Sequence, residues 1–137
     1  MATWLAAARL GRPGLAAPHG VYVSASVKEE FGIAILEAMA AGLVVVAPDS
    51  GGPATYVDDG VTGVLTGTTS RGALADAVGT ALDLAAAPGT DRRAEEARDL
   101  VRSRFSIGTM AATLAAVYED VAGRRRGAEP TTREGAP

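Results

Sequence analysis

Apolar residues come first in short unbroken runs and later in helical stripes. Val21-Tyr22-Val23-Ser24-Ala25 has the β-branched and aromatic content of a buried strand. Leu43-Val44-Val45-Val46-Ala47 is a continuous apolar run of strand length, as expected of a parallel strand covered on both faces. Gly63-Val64-Leu65-Thr66 predicts a third, short strand. Between the first two runs, nearly every position from Ile33 to Ala41 is apolar. That predicts a helix buried around most of its circumference, with Gly42 ending it as a C′ glycine. Strand, helix and strand in this order make a βαβ unit with a right-handed crossover. Its ligand crevice would lie at the carboxyl ends of the strands. Residues 24–32 and 48–53 leave from those ends, so both loops point at one place.

The second half reads as helices. Residues 70–86 are amphipathic, with Leu74, Val78, Leu82 and Ala85 on one stripe and Pro88-Gly89 as a stop. Residues 90–104 form a charged helix that turns Ala94, Ala97, Leu100 and Val101 inward. Its Glu95/Arg98 and Asp99/Arg102 pairs make a solvated face. Ser106 caps a last helix whose inner stripe is Met110, Leu114, Val117 and Val121. From Gly123 the chain is Arg-, Gly- and Pro-rich and is expected to be disordered, with Arg124-Arg125-Arg126 in a solubilising tail. At the other end, Arg9 and Arg12 interrupt what would be the apolar region of a signal peptide. Residues 1–19 read instead as a short marginal helix and a Gly/Pro-rich connector. His19, the single histidine, has a loop or strand-edge role there. The expected division is a lead (1–19), an α/β domain (20–122) and a tail (123–137).

Composition narrows the class. A chain of 137 residues is at most one domain, and 47% hydrophobic content with 4% aromatic implies an interior rich in Ala, Val and Leu. A net charge of −3 gives no reason to expect a nucleic-acid partner. The absence of cysteine removes disulfides and thiolate metal sites and fits a reducing, cytoplasmic setting. No apolar run is long enough to span a bilayer, which leaves peripheral membrane association as the alternative to a free cytoplasmic protein. Asp58-Asp59-Gly60 is a turn signature without the further ligands a metal needs, and no metal site is expected.

The candidate chemistry sits at the start of the first strong helix. Its N-terminus, near Gly32 and Ile33, offers unpaired backbone N–H groups and the positive end of the helix dipole, an anion site that glycine lets a bulky group approach. Glu37 lies five residues after Gly32, roughly 7 Å along the axis, about the span from a diphosphate to the hydroxyls of its ribose. A carboxylate accepting hydrogen bonds from a ribose diol is familiar in dinucleotide-binding folds. Burial of so isolated a carboxylate would demand a partner from another segment or from a ligand. Glu29 would accept hydrogen bonds from whatever hangs off the far phosphate. Structural alternatives stand beside both roles: Ser26-x-x-Glu29 matches a capping box, and Glu37 could cap a neighbouring loop. Gly51-Gly52 either admits a ligand to the backbone or turns the chain.

Glu29-x7-Glu37, set in Glu-x-Phe-Gly-Ile-x-Ile-Leu-Glu-Ala-Met-Ala-x-Gly, resembles the signature of retaining GT-B glycosyltransferases of the glycosyltransferase family 4 type. Val44-Val45-Val46-Ala47, Gly51-Gly52, Asp59-Gly60-Val61-Thr62-Gly63 and Val117-Tyr118-Glu119 match in the same order, over roughly residues 20–122. The resemblance implies a Rossmann-like three-layer parallel sheet, part of the C-terminal, donor-binding half of a GT-B fold. It implies hexosyl transfer from a nucleoside diphosphate sugar to an unknown acceptor, with no cofactor. Glu29 would contact hydroxyls of the donor hexose, as the catalytic residue. The backbone of Phe31, Gly32 and Ile33 would face the sugar and diphosphate, Glu37 would hold the ribose diol, and Gly51 and Gly52 would line the donor site.

The departures are specific. Glu30 stands where the family usually has glycine, Thr55 where it often has an acid, and Ala25 where proline is common. Residues 1–19 do not resemble the first donor-domain strands, which carry the Arg/Lys pair that clamps the diphosphate; Lys28 is the sole lysine. The acceptor-binding domain is likewise not represented. The expectation is an incomplete enzyme. The alternatives are a truncated or degenerate domain without activity of its own that acts with a partner chain, and an unrelated nucleotide-binding module. An open sheet edge would then favour a complementing chain or self-association.

Overall fold

Val44–Pro48 forms the central strand, β2, and all five of its residues are buried. A strand can be apolar on every position only when both its faces are covered. In the computed structural model, which describes residues 2–127, β2 lies between β1 (Val21–Val23) and β3 (Gly63–Thr66) in a parallel sheet of order β1-β2-β3. Val21 pairs with Val44 on one side and Val46 with Val64 on the other. The sheet is therefore α/β and Rossmann-like, as expected, although β1 is only three residues long. Ser24 adds one further bond, its N–H donating to the Val46 carbonyl at 2.9 Å, before the chain leaves for the next helix.

That helix, α2 (Ile33–Ala40), packs against β2. Its Ile35 and Met39 are buried, as is Val45, which points to the opposite side of the sheet from Val44 and Val46. Gly42 stops the helix in a Schellman arrangement: its N–H donates to Met39, and that of Leu43 to Ala38 at 3.0 Å. α2 is less enclosed than its composition predicts. Ile33 is 66% exposed, and Glu37 and Ala40 on the same stripe are exposed too. The sheet covers only one side of a helix this short, so the apolar run is not by itself a measure of burial.

The other face of the sheet carries α3 (Arg71–Ala86), opened by Ser70, whose Oγ accepts from the Ala73 N–H. Val44, Val46 and Val64 form a core with Ala77, Ala81 and Ala85. The inner stripe is thus made of alanines, with Leu74 and Val78 at its border, while Leu82 is 48% exposed. Small residues let helix and sheet approach closely, and the larger Leu82 is left to the solvent side. α4 (Thr90–Phe105) buries Ala94 and Ala97, and its Glu95–Arg98 and Asp99–Arg102 pairs form as expected.

At the N-terminal end α1 (Ala2–Leu10) is tied down rather than marginal. Its last carbonyls accept from the N–H groups of His19 and Gly20, at 3.1 and 2.8 Å. Arg9, buried, pairs with Asp91 of α4 and reaches His19 Nδ1 at 2.9 Å. A guanidinium only donates, so Nδ1 accepts and the imidazole proton sits on Nε2. His19 is structural.

Residues up to Arg102 form one unit and those from Ser103 a second. In the second, Ser106 Oγ caps α5 (Ile107–Gly127) by accepting from the Thr109 N–H. Met110, Leu114, Val117 and Val121, expected to face inward, are 46–58% exposed; among the described residues of this unit no strand or second long helix covers them. The helix runs past Gly123, where the tail was expected to begin; residues 128–137 lie outside the described part. Among the described residues no helix is long and apolar enough to cross a membrane.

The core assignment has a direct test. Met39 is fully buried, so Met39→Ala should lower the unfolding free energy by about 2–5 kcal/mol in urea titrations. A loss below about 1 kcal/mol would show that α2 is not seated as described.

Candidate functional site

Three loops leave the carboxyl ends of the strands and bond to one another. Residues 24–32 follow β1, residues 49–52 follow β2, and residues 67–70 follow β3. Thr68 Oγ1 donates to the Ser26 carbonyl at 2.8 Å, and the Asp49 N–H to Thr66 at 3.1 Å. The Gly52 N–H donates to the Glu29 carbonyl at 3.1 Å. The chain therefore brings Glu29, Gly32, Ile33, Gly51 and Gly52 to the one end of the sheet at which the two sequence segments were expected to meet.

The glycine pair is explained by crowding between these loops. A Cβ on Gly51 would stand 2.2 Å from the Glu29 carbonyl oxygen, and one on Gly52 would stand 2.5 Å from that of Glu30 and 2.7 Å from Phe31 Cα. Neither neighbour is a flexible side-chain tip. Both glycines therefore let the second loop lie flat on the first.

Tyr56, which sequence reasoning passed over, completes the clamp. It follows a short 3-10 turn (Pro53–Thr55) and is 4% exposed. Its hydroxyl donates to the Phe31 carbonyl at 2.7 Å, with Gly32 O at 3.3 Å. Burial, reinforced by the nearby Glu29 carboxylate, pushes its pKa up to about 12. A buried tyrosine hydroxyl requires a partner, and that requirement was the available signal; what it could not give was the partner's identity, a backbone carbonyl 25 residues away.

Gly32 is the N-cap of α2, at φ 84°, ψ 52°. A side chain there would be strained in this left-handed conformation and would also strike the Tyr56 hydroxyl. The Gly32 carbonyl accepts from the N–H groups of Ile35 and Leu36, at 3.0 Å each. Ile33 and Ala34 have no acceptor for their N–H groups among the described residues. Gly32 is itself buried, while Phe31 is 50% and Ile33 66% exposed on either side of it.

Two sequence expectations need correction. No helix begins at Ser26, since residues 24–32 are irregular; the capping-box alternative for Glu29 is not realised. Glu37 is not inside a buried helix but on its exposed stripe, so the desolvation argument for a ligand does not apply to it. The carboxylates of Glu29 and Glu37 make no hydrogen bond or ion pair among the described residues, so Glu37 caps no neighbouring loop. Glu30, the residue in place of a glycine, pairs with Lys28 at 2.7 Å. Both side chains are over three-quarters exposed, so the pair contributes little to stability.

Beyond Glu37 the exposed stripe of α2 runs into a cavity of about 400 Å³. Leu5, Ala6, Arg9 and Leu10 of α1 line it, with Glu37, Ala40 and Ala41 of α2 and Arg98 of α4. Arg98 donates to the Ala41 carbonyl at 3.1 Å, placing a cation at the C-terminal end of α2, where the dipole favours it. This was not foreseen for a residue read as part of a solvated face. Among the described residues, no three His, Cys, Asp or Glu side chains are grouped as a metal site would need.

The profile of the glycosyl transferases group 1 matches residues 16–99, more than half of the chain. The chain belongs to that family. Among its relatives is the glycogen synthase of Mycobacterium tuberculosis, 39% identical over 105 residues, which are 77% of this chain and 24% of the synthase. The sucrose synthase of Acidithiobacillus caldus is 44% identical over 45 residues, 33% of this chain and 6% of that protein. Sucrose synthase 5 of Arabidopsis thaliana is 43% identical over 49 residues, again 6% of its length. The group 1 chain described here thus spans a quarter or less of these relatives. No solved structure matches it. The parallel sheet and its helices agree with a Rossmann-like half of a GT-B glycosyltransferase.

Two measurements test the loop clamp. Gly52 has an ordinary helical φ of −56°, so Gly52→Ala probes crowding alone; it should cost about 1–3 kcal/mol, and a neutral substitution would refute the close approach. The raised Tyr56 pKa favours the protonated, folded form. Stability should therefore fall as pH rises from about 10 through about 12, and Tyr56→Phe should remove that part of the slope in denaturant titrations.

Proposed function

We propose that this chain is the donor-binding part of a retaining glycosyltransferase of the family 4 type, moving a hexosyl group from a nucleoside diphosphate sugar to an acceptor. The observation that carries the reading is the start of α2, where the N–H groups of Ile33 and Ala34 have no acceptor among the described residues. These two N–H groups sit at the positive end of the helix, flanked by the Glu29 and Glu37 carboxylates, which are unpaired among the described residues, in a chain that belongs to the glycosyl transferases group 1. Fixed N–H donors suit the diphosphate, where negative charge grows as the glycosidic bond breaks. Glu37, one turn on, would hold the ribose diol. Glu29, on the loop before the mouth, would accept hydrogen bonds from the donor hexose and so orient its anomeric carbon. Tyr56 donates to the Phe31 carbonyl, which keeps that loop in place; Gly51 and Gly52 form the adjoining wall.

A second reading has its own support. Among the described residues β1 is a three-residue strand with β2 as its one neighbour in the sheet, which leaves an edge for a complementing chain or a second copy. In that case the donor site would work only in the assembled protein.

Titrating UDP-, GDP- and ADP-sugars while following amide resonances separates the two. Shifts at Gly32, Ile33 and Glu37 are expected from the chain alone. Glu37→Gln should weaken that binding about tenfold, the effect of losing a hydrogen bond to a charged group. Silence at millimolar donor would leave only the assembled reading.

A further inference from the structure

α5 carries its large apolar residues at one spacing. Ile107, Met110, Leu114, Val117 and Val121 follow one another by three, four, three and four residues. That is the alternation of a two-stranded coil, whose period of about 3.5 residues keeps a narrow seam along one side of a helix. A helix that packs into a broad core carries a wider stripe. The five residues are 46–81% exposed. Helices in proteins draw most of their stability from packing of the apolar face rather than from propensity, so a seam this regular calls for a second helix.

We propose that α5 pairs antiparallel with α5 of a second copy of this chain. No charged residue stands between Ile107 and Tyr118, so two identical seams meet without opposing charges. The positions flanking the seam suit a close approach. Ala111 is small, the Thr113 hydroxyl already donates to the Thr109 carbonyl at 2.9 Å, and Asp120 is paired with Arg124 at 2.9 Å. Covering these three strands no polar group. The area agrees with a dimer. With about 100 Å² open on each seam residue, two copies bury roughly 1,000 Å², the lower bound of a specific contact. The pair is therefore weak and depends on concentration. Arg124 sets the direction, because it takes the next seam position after Val121, where a parallel pair would set it against its own copy. Antiparallel pairing with Leu114 of one copy beside Val117 of the other holds the two guanidinium groups roughly 25 Å apart along the axis. It also opposes the two helix dipoles. This pairing stands independently of the donor reading, whose residues all precede α5.

Light scattering on the full chain tests it. At about 0.5 mM the protein should show twice its monomer mass, and on dilution to about 5 μM it should return to monomer, as a weak contact requires. Leu114→Asp should raise the dissociation constant at least about tenfold. Ala112→Asp, on the opposite side of the helix and with the same loss of helix propensity or more, should leave it unchanged. The chain has no cysteine, so a single nitroxide label at Gly108→Cys, outside the seam, reports the direction. Two such labels in the antiparallel pair should lie more than about 20 Å apart. A monomer at every concentration would overturn the proposal. So would labels side by side, or a dimer that Leu114→Asp leaves intact, which would place the contact elsewhere, the β1 edge included.

Discussion

The site depends on one close approach of backbone to backbone. The turn at Gly51-Gly52 lies against the carbonyls of Glu29 and Glu30 with no room for a Cβ between them. The Gly52 N–H and the Tyr56 hydroxyl then hold that loop by its own carbonyls. Carbonyl groups taken up in this way cannot turn into the mouth of α2, where they would repel an anion. The contact therefore fixes the position of the loop and also the sign of the electrostatic field it presents. Gly32 adds the last constraint, since its left-handed backbone aims the helix away from the loop at once.

The fold below this contact is built largely from small residues. Valines in the sheet and alanines in α3 give a core with little side-chain entropy to lose and a short distance between layers. Such a core tolerates no insertion of volume, but it holds the strand ends in a fixed register. Fixed strand ends are what allow three loops from three strands to bond to one another by single hydrogen bonds.

The architecture was legible because its signals are local. An unbroken valine run, a C′ glycine and a Ser N-cap each act within a few residues, and β2, Gly42 and Ser106 stand where those signals put them. Burial was less legible. Leu82 and the stripe on α5 have the periodicity of inner faces, yet they are exposed, because periodicity says which residues share a face and not whether another element covers it. Glu37 is the same case from the polar side: its neighbours in sequence are apolar, its neighbours in space on the outer stripe are not packed. The contacts of Tyr56, Arg98 and Arg9 were not foreseen because their partners are 25, 57 and 82 residues distant, and no local pattern encodes a contact at that range.

The corrected position of Glu37 changes what a ligand has to supply. A buried lone carboxylate would have bound its partner tightly to escape an unpaired state, at the cost of holding that state when empty. An exposed one stays hydrated until the ligand arrives and gives only the net difference between water and hydroxyl partners, on the order of 1 kcal/mol per bond. On the donor reading proposed above, affinity would come from modest sources acting on one rigid molecule: N–H groups at the start of α2 and a carboxylate one turn on. Each is weak alone. On that reading their spacing along α2 makes them additive, because a ligand whose anionic and hydroxyl parts follow the same order is ordered once and engages both.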